Sequence, residues 1–131
     1  MKRFVVAYWP SMLVSAVILY ATLVPDPVGV DDLPSLPHVD KLIHAVMFGG
    51  LTGAVAFDYG RSCGVACLSR RVMVRVALCA ALSGGLIELL QGAMDMGRGA
   101  EWADFFADAV GAAVACFVAP PVIRRVIRAL S

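Results

Sequence analysis

Charge is scarce in this chain. Only 16% of the 131 residues are Asp, Glu, Lys or Arg, against about 25% in a soluble domain. Hydrophobic residues make up 60%, which excludes a disordered chain. A small domain has too much surface to hide so much apolar material from water. The length leaves no room for several domains. A net charge of +1 lacks the basic excess of a nucleic-acid binder. No ten-residue segment alternates polar and apolar residues, so membrane β-strands are excluded. A metal held by His44, Glu88, Asp104 and Asp108 would be chemically sensible, but the chain has no H-E-x-x-H or comparable ligand spacing, so neither a metal nor another cofactor is expected. The two halves share no repeat, which leaves an inverted-repeat transporter without support.

What is present is a set of four long apolar runs, at roughly 4–24, 41–59, 72–94 and 104–123. At about 1.5 Å per helical residue, each crosses a hydrocarbon layer of roughly 30 Å. The expectation is an all-α polytopic membrane protein. Residues 1–131 form a single domain of four transmembrane helices packed as a small bundle. The first run follows Met1-Lys2-Arg3, as a secretory signal would, but it is too long for a signal core and no A-x-A site precedes Pro25; it is expected to stay as a helix. Pro10 falls in the first turns, where a lost backbone bond matters less. The fourth run is expected to end at Pro120-Pro121. The loop 25–40, with Pro25, Pro27, Pro34 and Pro37, reads as extended. Lys2, Arg3, Arg61, Arg70, Arg71, Arg75, Arg124, Arg125 and Arg128 fall on one side of these spans, and only Lys41 and Arg98 on the other. The positive-inside rule then places both termini in the cytoplasm of a cell (plasma or inner) membrane.

Cys63 and Cys67 fall in the loop assigned to the cytoplasm, and Cys79 and Cys116 within spans, so all four are expected as free thiols. Gly49 and Gly53, and Ala107, Gly111 and Ala115, carry small-residue spacings that let helices approach closely, either within one chain or in a homo-oligomer. Gly84, Gly85 and Gly92 flank Glu88 and Gln91, and are expected to thin the third helix where those polar groups need room. Tyr8, Trp9 and Trp102 read as interfacial anchors, with stacking on a ligand the alternative for Trp102.

The informative residues are those that hydrocarbon should reject. Asp40, Lys41 and His44 open the second span; Glu88 and Gln91 share a face near the end of the third; Arg98 and Glu101 precede Asp104 and Asp108, which share a face at the start of the fourth. Charged groups in spans cost several kcal/mol and are usually paired, inward-facing and functional. Three helices thus offer polar faces to one pocket at one membrane surface. Four uses are open: a structural network setting helix register, a binding site in which Lys41, Arg98 and His44 hold an anionic or amphipathic ligand, an acid/base enzyme using His44 and Glu88, and a proton relay. Ser83 and Thr52 are the hydroxyls nearest in sequence to that pair, but neither spacing makes a persuasive triad.

The ordered motifs Asp40-Lys41-x-x-His44, Glu88-x-x-Gln91 and Arg98-x-x-Glu101-Trp102-x-Asp104, followed by Gly111, resemble the VanZ-like family over roughly residues 36–116. The resemblance implies several membrane helices with motif residues near one membrane face, and a link to resistance against the glycopeptide antibiotic teicoplanin. Where the family pattern often has Asn four residues after the motif Asp, this chain has Asp108, which adds a negative charge. The resulting expectation is a pocket of Asp40, Lys41, His44, Glu88, Gln91, Arg98, Glu101, Asp104 and Asp108 that binds a cell-envelope component, with the lipid bilayer as surroundings.

Overall fold

The computed structural model describes residues 2–24, 38–94 and 101–130. The proline-rich stretch before His38 and the segment containing Arg98 lie outside the described residues. Four helices follow one another: α1 (Lys2–Leu23), α2 (Val39–Cys63), α3 (Arg70–Met94) and α4 (Trp102–Leu130). The described residues contain no strand. Each helix is long and apolar enough to cross a membrane, so the expected all-α set of four span-length helices is what the chain forms. Its outer surface is oily: Leu42, Val46, Leu82, Leu86, Phe106, Val110 and Phe117 are all exposed. Such a surface suits acyl chains and would aggregate in water.

Cross-helix contacts fix the arrangement. Ser11 in the first half of α1 meets Asp58 near the end of α2, whereas Thr22 near the end of α1 meets Gln91 near the end of α3. His44 and Asp108, both close to their helix starts, meet across α2 and α4. The chain therefore runs up, down, up, down. One end gathers Thr22, Asp40, Gln91 and Asp104; the other gathers Ser11, Gly60, Arg70 and Ile123. Below these are called the Asp40 end and the Gly60 end. One apolar layer, Ile18, Phe48, Ala80, Ile87 and Ala112, joins all four helices. A second, Ala56, Leu68, Met73, Cys116 and Ile123, lies toward the Gly60 end.

The parallel helices α2 and α4 approach most closely through glycine. A Cβ on Gly111 would land on the Ala45 carbonyl, and one on Gly49 would sit 3.1 Å from Gly111 O. Small residues here serve packing within the chain. Gly53, the other half of the G-x-x-x-G, has open space beside it.

Three expectations need correction. α4 does not end at Pro120-Pro121 but continues to Leu130. The prolines remove the N–H donors for the Cys116 and Phe117 carbonyls, but Ile123 beyond them is buried against Leu68 and Met73 and Arg124 reaches the Leu68 carbonyl at 3.3 Å. Tertiary packing outweighs two lost backbone bonds, as it often does in membrane helices. Pro10 matters more than expected. Helix α1 kinks at Tyr8 (φ −117°, ψ 17°), because the proline cannot donate to the Val6 carbonyl and its ring crowds that turn. Finally, Cys63 and Cys67 are joined as a disulfide rather than free. α2 stops at Cys63, Gly64 turns with φ 95°, and one turn of 3-10 helix (Val65–Cys67) follows. That reversal sets the two Cα atoms 6.1 Å apart, a span a disulfide can bridge. Cys79 and Cys116 are free as expected.

Candidate functional site

The Asp40 end places the starts of α2 and α4 side by side. Each helix N-terminus carries roughly half a positive charge from its aligned peptide dipoles. That field favours carboxylates, and acids occupy both first turns: Asp40 on α2 and Asp104 on α4.

The polar groups divide into two layers. In the outer layer, Lys41 Nζ binds Asp40 Oδ2 at 2.9 Å, Glu101 Oε2 at 3.3 Å and Asp104 Oδ1 at 3.3 Å. One ammonium with three donors thus serves three carboxylates. In the inner layer, His44 Nδ1 lies 2.9 Å from Asp108 Oδ1, and its Nε2 lies 3.9 Å from Asp104 Oδ2. Asp108 is 1% exposed and Glu88 6%. Glu88 Oε2 accepts the backbone N–H of Glu101 at 3.0 Å and so helps cap the start of α4. Glu88 Oε1 is buried and has no hydrogen-bond partner among the described residues. Ligand atoms of His44, Glu88 and Asp108 all lie within 4.8 Å of one another.

Glycine makes this inner layer possible. A Cβ on Gly84 would strike the Asp108 carboxylate. Gly84 therefore clears room for an acid from α4, not for Glu88 and Gln91 on its own helix. Gly85 does the same for the Phe105 ring, 3.2 Å from where its Cβ would stand.

The structure brings together Asp40, Lys41, His44, Glu88, Glu101, Asp104 and Asp108, and does not bring in Gln91. Gln91 Nε2 donates to the Thr22 carbonyl at 2.7 Å, a bond that ties α3 to the last turn of α1. Arg98 lies outside the described residues. Ser83 and Thr52 are not turned toward His44: Ser83 Oγ donates to the Ala80 carbonyl and Thr52 Oγ1 to the Phe48 carbonyl, as hydroxyls in helices often do. Neither is poised as a nucleophile.

Beside the cluster, α3 and α4 leave a cleft of about 300 Å³. Leu82, Gly85, Leu86 and Leu89 form one wall and Trp102 and Phe105 the other, with Glu88 and Glu101 at its polar end. Trp102 packs edge-on against Phe105 with centroids 6.4 Å apart, and is largely exposed.

Sequence reasoning passed over Asp58. It is completely buried. It accepts from Ser11 N–H at 2.9 Å and from Ser11 Oγ, and pairs with Arg61 at 3.3 Å. Arg61 also donates to the Ala7 carbonyl at 2.6 Å and approaches that of Val6 at 3.4 Å. These two carbonyls sit where Pro10 disturbs the α1 ladder. Asp58 and Arg61 thus cap a proline-broken helix from outside. The available signal was a D-x-x-R pair closing one span, facing Pro10-Ser11 in its antiparallel neighbour.

No family model matches the chain, and no curated protein or solved structure is significantly similar to it.

Proposed function

We propose that this is a VanZ-like protein of the cell membrane that holds an amphipathic envelope lipid, its head at the Asp40-end cluster and an acyl segment in the adjoining cleft. The observation that carries this reading is their continuity: Glu88 and Glu101 belong both to the polar layers of the cluster and to the wall of a cleft otherwise lined by Leu82, Leu86, Leu89, Trp102 and Phe105. Sites for small molecules combine an apolar enclosure with a few convergent polar groups. The polar part favours an amphipathic ligand over a simple anion. Lys41 is already shared by three carboxylates and His44 faces Asp108 and Asp104, so a bare phosphate would meet more negative than positive charge. A role in glycopeptide resistance would follow from sequestering or presenting such a lipid.

The same reading sets the Asp40 end outward and both termini in the cytoplasm. Its support is the collection of Arg61, Arg70, Arg71, Arg75, Arg124, Arg125 and Arg128 toward the Gly60 end, since loop cations decide insertion. The Cys63–Cys67 disulfide lies at that end too, although oxidising compartments favour such bonds. The arginines outweigh one bridge between residues a single turn apart. After reduction, an impermeant thiol reagent is expected to label Cys63 in inside-out vesicles and not in intact cells.

The lipid reading is tested by mass spectrometry of the full chain purified in mild detergent. One envelope lipid species should be enriched over bulk membrane, and Leu86→Trp, which fills the cleft, should reduce its retention at least about tenfold, the equivalent of about 1.4 kcal/mol. A lipid profile equal to bulk and unchanged by Leu86→Trp overturns it.

A further inference from the structure

The two layers of the cluster treat their negative charge differently. In the outer layer, Asp40, Glu101 and Asp104 converge and the chain supplies the cation itself, Lys41 Nζ. In the inner layer, His44, Glu88 and Asp108 converge equally. There, among the described residues, no lysine or arginine reaches either carboxylate. Among the described residues the basic group at this layer is the His44 imidazole, held by Asp108. Two carboxylates at such burial are costly in hydrocarbon unless compensated. Glu88 Oε1 adds a second, independent sign: it is a buried lone-pair donor with no partner among the described residues.

The geometry points to a divalent metal site formed by His44, Glu88 and Asp108. One neutral imidazole and two carboxylates match a first-row divalent ion such as zinc, manganese or iron. The nitrogen argues against magnesium and calcium, which prefer oxygen donors alone. The paired carboxylate charges cancel the charge of the ion, which removes the burial cost of both. Three protein ligands leave a coordination position for water or for a ligand oxygen, the pattern of zinc sites that are not purely structural. His44 Nδ1 and Asp108 Oδ1 already stand 2.9 Å apart, so it is Glu88, with its donor inside the 4.8 Å set, that must approach the roughly 3.3 Å spacing implied by bonds of about 2.0–2.1 Å. Side-chain rotation of Glu88, whose Oε1 is unengaged, supplies most of that movement. Asp104, 3.9 Å from His44 Nε2, stands where an outer carboxylate orients a ligating imidazole. No linear spacing announces this set, because its members come from α2, α3 and α4. The inference stands apart from the lipid reading: the ion can bind with the cleft filled or blocked.

The test uses the untagged full chain in detergent, stripped with a chelator and titrated with zinc or cobalt. About one ion per chain should bind at micromolar concentration, read by elemental mass spectrometry after gel filtration. Glu88→Gln and Asp108→Asn should each weaken binding by at least about 100-fold, the upper end of what loss of an orienting partner costs. The Cys63→Ser/Cys67→Ser variant should bind as the parent does. Should the carboxylate variants fail to fold, the parent's cobalt spectrum still decides, since nitrogen and oxygen ligation shows no sulfur-to-cobalt charge transfer. Absence of binding by the parent, binding unchanged in Glu88→Gln, or a sulfur charge-transfer band overturns the inference. Leu86→Trp should leave metal uptake intact, which separates failure here from failure of the lipid reading.

Discussion

Both ends of the bundle bury acids, and they do so to opposite effect. At the Gly60 end, Asp58 is saturated: one oxygen takes the Ser11 N–H and hydroxyl, and the other takes Arg61. One bond holds the Ser11 N–H directly, and the pairing with Arg61 sets that side chain against the Ala7 carbonyl near Pro10. At the Asp40 end, Glu88 keeps a buried oxygen unpartnered among the described residues, and Asp108 shares a single imidazole. A buried acid whose hydrogen-bonding capacity is filled from within explains itself as architecture. One that retains capacity, beside a cleft, has something left to bind. Burial alone does not separate the two, since Asp58 and Asp108 are both almost wholly enclosed.

The largest effect should come from breaking the saturated site. Asp58→Ala removes the partner of Arg61 and strips two donors of Ser11 at once. Arg61 is 40% exposed and can turn to water, but each buried Ser11 donor left unsatisfied costs about 1–3 kcal/mol, so thermal unfolding in detergent should fall steeply while ligand or metal binding, measured on what remains folded, is kept. An unshifted melting temperature would remove Asp58 from the architecture. Next in size is Gly84→Ala. Its Cβ meets the Asp108 carboxylate, and overpacking of this kind costs about 1–3 kcal/mol. Here stability and binding should fall together, because the methyl group pushes Asp108 away from His44. If binding survives at parental strength, Asp108 is not where the function lies.

Much of this contrast was legible in the residues, and the parts that were not share a cause. Four spans could be read from four apolar runs, and the Asp40-end acids stood out because hydrocarbon rejects them. Local chemistry of that kind needs no partner to be recognised. Asp58 escaped because it sits near the boundary of its span, beside Arg61, where an acid is unremarkable; its role depends on Pro10, which lies 48 positions earlier in the numbering. The continuation of α4 through Pro120 and Pro121 escaped for the same reason, since Ile123 is held by Leu68 and Met73 from other elements. The position of Gly84 beside Glu88 points to relief of its own helix, whereas the atom it accommodates arrives from α4. Spacing puts Gln91 on the face of Glu88, yet one helix face can meet two neighbours, and the Gln91 amide turns to α1.

That last difference gives a smaller prediction. Gln91→Ala removes one interhelical bond, Nε2 to the Thr22 carbonyl, worth about 0.6 kcal/mol on average in a membrane and at most about 1.7. Melting should drop slightly, and both lipid retention and metal uptake should match the parent. A loss of either would return Gln91 to the site.

The smallest change in stability should come from the boldest substitution. Glu88→Leu places an apolar side chain of similar bulk among Leu82, Leu86 and Leu89. It removes a buried carboxylate that has one bond, from Glu101 N–H, and one unpartnered oxygen among the described residues. Glu101 is exposed, so its freed N–H can turn to water rather than stay orphaned. Replacing a buried charge by well-packed hydrocarbon is often neutral or stabilising, and melting should move by less than about 1 kcal/mol in either direction. Asp58→Leu, the same exchange at the other end, should be as damaging as Asp58→Ala. Equal damage at the two sites would mean that Glu88 is as structural as Asp58. A silent Glu88→Leu that nonetheless abolishes binding would show the chain carrying an acid its fold does not need, and only a ligand can account for that.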